Sequence, residues 1–354
     1  MILILCFFLA LSSCASAPQP PDPVPEQSPD DPARDIPADE EDVPEIFVYG
    51  EIPDDAKNLP VLLFDEIWGY VMAGREQALK TNYPLSDVGY FGAEIDVYGK
   101  LTDVPRRSRL RSFPGRVHLV VVCNSMALTH FVLEPGSPVR KQLVADLLEA
   151  SRAYDGLQID FENIPARDGA NFLSFLQDLR EGLGNRLFTI ALKARTRTLQ
   201  DDAYDYGKIK PLVDRILVMA YDEHWSRGEP GPIASMGWSR QVADYALKTV
   251  GPEKLIMGLP FYGRTWGDTD PFSAYVYSGI ERIKSENAIT EINRENGVPN
   301  FSYNVSVKMW AYYEDVFSLN IRSSLYLDMG IRSIGFWRIG QEDPLIWNFL
   351  QIAN

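Results

Sequence analysis

The sequence predicts an α/β fold, specifically a (β/α)8 TIM barrel, from three observations. Apolar runs with strand character alternate with stretches of helical periodicity from about residue 45 to the end of the 354-residue chain. Eight such runs occur, which suits a barrel of this length. The fourth, "YDGLQIDFENIP" at 154–165, puts Gln158, Asp160 and Glu162 on one face and Leu157, Ile159 and Phe161 on the other. A strand covered by helices in a parallel sheet has no solvated face, so this polar row points into an interior.

The elements follow in order. Strand character is read at 62–73 ("LLFDEIWGYVMA"), 87–99 ("DVGYFGAEIDVYG") and 116–125 ("RVHLVVVCNS"). Residues 139–154 are helical, with Leu143, Val144, Leu147 and Leu148 on one face. The motif strand comes next, then a helix over 168–184 with Asp168 as its N-cap and Gly184 as its terminator. Strands at 186–195 and 215–225 are followed by a helix at 239–250 and a strand read through 254–266, "KLIMGLPFYGRTW". An aromatic and polar insertion at 268–313 separates strands seven and eight and is placed as one wall of a groove. A helix at 314–330 stops at Gly330, and "IRSIGFWRIG" at 331–340 is the last strand.

Composition narrows the function. Hydrophobic residues at 45% supply a large core, while a net charge of −15 argues against nucleic acid as a partner. Three cysteines and three scattered histidines offer no disulfide framework, no zinc cluster and no His-rich metal site. His118, His130 and His224 are read as structural, and Cys123 as a small buried hydrophobe.

The chain's start has a different character. Residues 1–13 read as a secretory signal, too short to span a bilayer, and Leu11-Ser12-Ser13-Cys14 resembles a bacterial lipobox with Cys14 as the lipidated residue. Residues 14–45 are dense in Pro, Asp and Glu and form an acidic tether. The folded body is then 46–354, held at a membrane through an N-terminal lipid in the cell envelope, either periplasmic or surface-exposed.

Four motifs in order carry a resemblance that covers roughly 60–350. Asp155-Gly156-Leu157-Gln158-Ile159-Asp160-Phe161-Glu162 resembles the DGxDxDxE of glycoside hydrolase family 18, the chitinase-like barrels. Met219-Ala220-Tyr221-Asp222 resembles the family's MxYD, Gly258 to Trp266 its GxPFYGRxW, and Trp337 the tryptophan that ends its eighth strand. Within the family, "MAYDEHWSRGEPGPIASMGW" and "WRIGQED" are most similar to the spore-cortex and cell-wall glucosaminidase branch.

The resemblance implies a retaining, substrate-assisted hydrolase of β-1,4-linked amino sugars, in which the 2-acetamido oxygen attacks its own anomeric carbon. It makes Glu162 the proton donor, Asp160 the group that orients the acetamido N–H, and Tyr221 the donor to the acetamido carbonyl. Gln158, Met219, Asp222, Tyr262 and Trp337 become substrate-binding residues, Trp337 by stacking under the sugar. No metal or organic cofactor is implied, because proton transfer and the substrate's own amide supply the chemistry. Gln158 departs from the Asp of many members: an amide can donate to Asp160 but cannot take a proton from it. The paired glycines of the third strand in many chitinases are replaced by "VVVCNS". Among the tryptophans, Trp225 and Trp266 follow strand ends and are cleft candidates, while Trp68, Trp238, Trp310 and Trp347 suit packing. The expected substrate is peptidoglycan cut by an N-acetylglucosaminidase. The alternatives are a chitin oligosaccharide hydrolase and a catalytically silent glycan-binding lipoprotein.

Overall fold

The computed structural model describes residues 52–267, 273–304 and 308–353. The expected signal peptide, Cys14 and the tether lie outside the described residues, as does the start of the expected domain at residue 46. Among the described residues no helix is long and apolar enough to cross a membrane.

Eight parallel strands close into a barrel: Glu66–Met72, Asp87–Ile95, Arg116–Val122, Gly156–Asp160, Leu187–Lys193, Arg215–Met219, Leu255–Pro260 and Ser333–Trp337. Each pairs with its sequence neighbour, and the eighth pairs with the first in the register Ser333↔Glu66 to Phe336↔Gly69. All eight predicted strands are present. Helices Pro138–Ala150, Gly169–Leu183, Met236–Val250 and Val316–Asp328 cover the outside, where Leu143, Phe175, Val242 and Leu319 pack on the outward strand residues. Val144 and Leu148 of the first of these are only partly buried at its edge.

The structure corrects three local expectations. The seventh strand stops at Pro260, and Gly263–Gly267 belongs to a different sheet. That sheet has five antiparallel strands (Gly263–Gly267, Ser273–Tyr275, Asn293–Glu295, Val298–Asn304 and Lys308–Tyr312) and carries helix Tyr277–Glu286. The insertion therefore begins earlier than 268 and has its own apolar cluster of Ile280, Ile283, Phe301, Ala311 and Tyr313. Secondly, Asp168 holds the N-cap position as predicted, but its side chain makes no capping bond; its carboxylate takes His130 Nδ1 at 2.9 Å instead. Thirdly, helix Met126–Leu133 follows the third strand, where none was expected, capped by Ser125 Oγ accepting from Leu128 N at 3.3 Å.

The barrel interior changes character along its axis. At the N-terminal end Glu66 accepts from Arg116, Arg215 and Trp68 Nε1, while Asp87 holds both Arg116 and His118. A middle section of Trp68, Tyr70, Val120, Leu217 and Ile256 is apolar and aromatic. The C-terminal end opens into a cleft.

Candidate active site

The fourth strand carries the polar row up the barrel wall by period-two alternation. Gln158, one step below the cleft, is fully buried: its Oε1 accepts from Tyr70 Oη at 2.5 Å and its Nε2 donates to Thr189 Oγ1 at 3.1 Å. Its amide thus points sideways into the wall rather than up to Asp160, as the sequence had suggested. Asp160 ends the strand and Glu162 follows it, and both line a cleft of about 350 Å³.

Three hydrogen bonds fix the turn that presents Glu162. Asn163 Nδ2 donates to Asn124 O at 2.6 Å, and Thr129 Oγ1 donates to Asn163 O at 2.6 Å. Ile164 N donates to Tyr204 Oη at 2.8 Å. Thr129 sits on the helix that was not foreseen, so this clamp could not be read from the sequence.

The sixth strand supplies Met219 and, just past its end, Tyr221 and Asp222, which all line the cleft. Burial, then the nearby phenols of Tyr70 and Tyr262, then Asp160 and Glu162, push the Tyr221 pKa well above its ordinary value. The phenol therefore stays protonated and available as a donor. Room for it is made by Gly258 on the seventh strand: a Cβ there would lie 2.9 Å from Val218 O and 3.1 Å from Tyr221 Cε1.

Asp222 has φ +59°, a left-handed conformation that Asp tolerates better than most residues. Its Oδ1 accepts from Tyr262 Oη at 2.5 Å and from Arg264 at 3.2 Å. Tyr262 is fully buried, and the guanidinium of Arg264 lies over its ring, 5.4 Å from the centroid. Tyr262 therefore stands behind the cleft and holds Asp222, rather than lining the cleft as expected.

Trp337 ends the eighth strand and lines the cleft against Phe91 (centroids 4.9 Å apart) and Tyr70 (5.4 Å). On the opposite rim the loop after the sixth strand is drawn together by Glu223, which accepts from Ser235 N at 2.6 Å and Oγ at 3.0 Å. Ser235 caps helix Met236–Val250, and Trp238 on its first turn packs against the core as expected and also lines the cleft. Trp225 is 46% exposed on the rim, and Trp266, buried beneath it, donates Nε1–H to its carbonyl at 3.3 Å.

The structure thus gathers Asp160, Glu162, Met219, Tyr221, Asp222 and Trp337 into one cleft and places Gln158 and Tyr262 behind it. Lys193, the last residue of the fifth strand, and Arg195 just after it also line the cleft and were not singled out from the sequence. The signal was present: Thr189 faces Gln158, so the same period sends Ala191 and Lys193 inward. Among the described residues no group of three His, Cys, Asp or Glu is placed to hold a metal ion.

A closed parallel barrel with carboxylates and aromatic rings at the C-terminal ends of its strands has the architecture of a barrel enzyme. Residues 139–342 match the sequence profile of Glycosyl hydrolases family 18, and the chain belongs to that family. It is 28% identical over 215 residues to the uncharacterized glycosylase YvbX of Bacillus subtilis (strain 168), with 58% of this chain and 62% of that protein covered. The chain thus spans less than two thirds of that relative's length. It is 27% identical over 305 residues to the cortical fragment-lytic enzyme of Bacillus subtilis (strain 168), covering 78% of this chain and 69% of the relative. The crystal structure of the Bacillus cereus spore cortex-lytic enzyme SleL shares the fold with a TM-score of 0.73 at 22% identity, over 81% of this chain and 75% of that one.

Proposed function

We propose that the protein is a retaining, substrate-assisted β-N-acetylglucosaminidase acting on peptidoglycan. The observation that carries the reading is the cleft itself, in which Asp160, Glu162, Tyr221 and Trp337 open onto one volume. The sugar before the cut rests on Trp337. Glu162 protonates the departing glycosidic oxygen while the acetamido oxygen bonds to C1, giving an oxazolinium ion with Asp160 beside its N–H. Tyr221, kept protonated, donates to the acetamido oxygen and aims it. Glu162, now a carboxylate, takes a proton from water as that water attacks C1, and the C1–acetamido bond breaks with net retention.

The names of the cortical fragment-lytic relative and of SleL favour peptidoglycan over chitin. Both GlcNAc and MurNAc carry the acetamido group, but the lactyl ether of MurNAc adds bulk at O3, so GlcNAc is the sugar before the cut. The lipobox-like Leu11-Ser12-Ser13-Cys14 supports a lipid-anchored envelope location, tested by lipid labelling of wild type and Cys14→Ala.

The test is digestion of purified peptidoglycan, and of chitin oligomers beside it, by wild type and Glu162→Gln, with borohydride-reduced products read by mass spectrometry. Fragments ending in reduced GlcNAc from wild type, lowered at least a hundredfold in the variant, are expected for loss of the general acid. Release of neither peptidoglycan nor chitin fragments by wild type would leave glycan binding without hydrolysis as the better account.

A further inference from the structure

The cations of the cleft are not equivalent. Arg195 is held by Asp202 through two contacts, 2.8 Å and 3.1 Å, and Arg264 is held by Asp222 at 3.2 Å. Lys193 lines the same cleft, yet among the described residues its ammonium makes no ion pair with a carboxylate within the 4.0 Å of such a pair. Its ammonium lies over the ring of Tyr204, 6.0 Å from the centroid. Its backbone is fixed, since Tyr206 Oη donates to Lys193 O at 2.6 Å. Burial lowers its pKa, and only the fields of Glu162 and then Asp160 draw it back up.

A half-buried ammonium without a bonded counter-ion is costly for the free protein. Lys193 lines the cleft, so its charge faces whatever enters. We propose that Lys193 is a specificity-determining residue that recognises a carboxylate on the muramyl sugar next to the scissile bond. The inference rests on the peptidoglycan reading above and deepens it. A GlcNAc unit has no charged group, and a chitin oligomer none anywhere. The muramyl neighbour carries an O3-lactyl carboxyl, which is a free anion in peptide-free glycan and an amide where a stem peptide is attached. In the second case carboxylates lie further out on the peptide. An ammonium on the strand end beside Glu162 reaches a group held close to the ring, so the lactyl anion is the expected partner. Charge complementarity of this kind sets preference between substrates rather than the chemistry of the cut.

The experiment measures kcat/KM for the full chain, wild type, Lys193→Met and Lys193→Arg, on four substrates. These are chitin oligosaccharide, peptide-free glycan strands, the same strands with the lactyl carboxyl reduced to an alcohol, and peptide-bearing strands. The readout is preference for the free carboxylate over its reduced form. Wild type should prefer the carboxylate at least tenfold, Lys193→Met should lose that preference, and Lys193→Arg should keep most of it. Wild-type preference for peptide-bearing over peptide-free strands that Lys193→Met abolishes would place the recognised carboxylate on the stem peptide and overturn the lactyl assignment. A wild-type preference below twofold, or one unchanged in Lys193→Met, would overturn the inference. So would an equal loss on all four substrates with a moved pH profile, which would make Lys193 a tuner of Glu162. Failure of wild type on every substrate would instead remove the hydrolase reading itself.

Discussion

Gln158 shows how one side chain can set the chemistry of its neighbours without touching substrate. Both ends of its amide are used, by Tyr70 and Thr189, in a fully buried slot. Replacing it with Asp shortens the side chain and adds an ionisable group one strand step below Asp160. The added negative charge opposes ionisation of Glu162, so the alkaline limb of the pH–rate profile should move upward by up to about one unit. Stability at pH 7 should fall by about 2–4 kcal/mol, because the hydrogen-bond pair is broken and a charge is buried. An unchanged profile would count against the coupling. Tyr204 acts on Glu162 through the backbone. Tyr204→Phe leaves Ile164 N–H without its acceptor, at a cost of about 1–3 kcal/mol. If Tyr204 positions the acid, kcat should drop about tenfold while KM stays within about twofold; a change in KM alone would show that it does not. The alternation of 158, 160 and 162 was legible because a strand's period is fixed by backbone geometry. The clamp on Glu162 was not, because its partners come from Asn124, Thr129 and Tyr204, which only the fold brings together.

Among the elements, the eight strands could be read from the sequence because parallel strands under helices must be apolar on both faces, and "HLVVV" and "RILVM" are. The end of the seventh could not, since "LPFYGRTW" keeps strand composition while the chain changes sheets at Phe261 and Tyr262. Here Phe261 N still donates to Trp337 O of the eighth strand at 2.7 Å, while Arg264 already pairs with Tyr312 of the insertion. The strand's Gly258 gives its own test. In Gly258→Ala the new methyl meets backbone at Val218 O and the ring of Tyr221, so Tyr221 must shift. We expect kcat/KM to fall at least tenfold with about 1–3 kcal/mol of destabilisation, read by kinetics and urea denaturation. Destabilisation with unaltered kinetics would mean that the sheet, not Tyr221, absorbs the methyl. At the other end of the barrel, Asp87 links the second and third strands through Arg116 and His118. Burial alone would raise its pKa, but the bonds from His118 and Arg116 outweigh burial and hold it below the usual carboxylate value. Since the folded pKa is the lower one, the stability it contributes is complete above the unfolded value of about 3.9 and is lost as pH falls through the folded one. Asp87→Asn should therefore cost about 2–3 kcal/mol at pH 7, and the gap to wild type should narrow below about pH 4 in urea titrations. A gap that stays constant with pH would assign the loss to geometry rather than to charge.

At the scale of the whole molecule, the barrel is closed by two segments far apart in sequence, and that seam has the highest chain-entropy cost of any pairing between barrel strands. Within the barrel the eighth strand meets the first through Ser333↔Glu66 and its successors, and among the described strand pairs only the flanking pairing of Leu62 with Leu350 closes a longer stretch of chain. Immediately below it, Asp65 N donates to Arg332 O at 2.7 Å and Arg332 reaches Asp65 at 3.1 Å. One step further down, Leu62–Phe64 pairs in parallel with Leu350–Ile352, bringing the C-terminal segment back under the entry to the first strand. Leu350 is 1% exposed there, and Ala353 N donates to Phe64 O at 2.7 Å. A chain ending at Phe349 loses that side chain's burial, worth about 2–3 kcal/mol, and a backbone bond worth about 1 kcal/mol. Its urea midpoint should fall by an amount corresponding to about 3–4 kcal/mol. The clamp sits at the N-terminal end of the barrel and the cleft at the other, so specific activity measured well below the melting temperature should stay within about twofold of wild type. Loss of specific activity without loss of stability would show the two ends to be coupled. The outcome expected from the layered interior is the reverse: a seam that governs whether the barrel stands, and a rim that governs what it cuts.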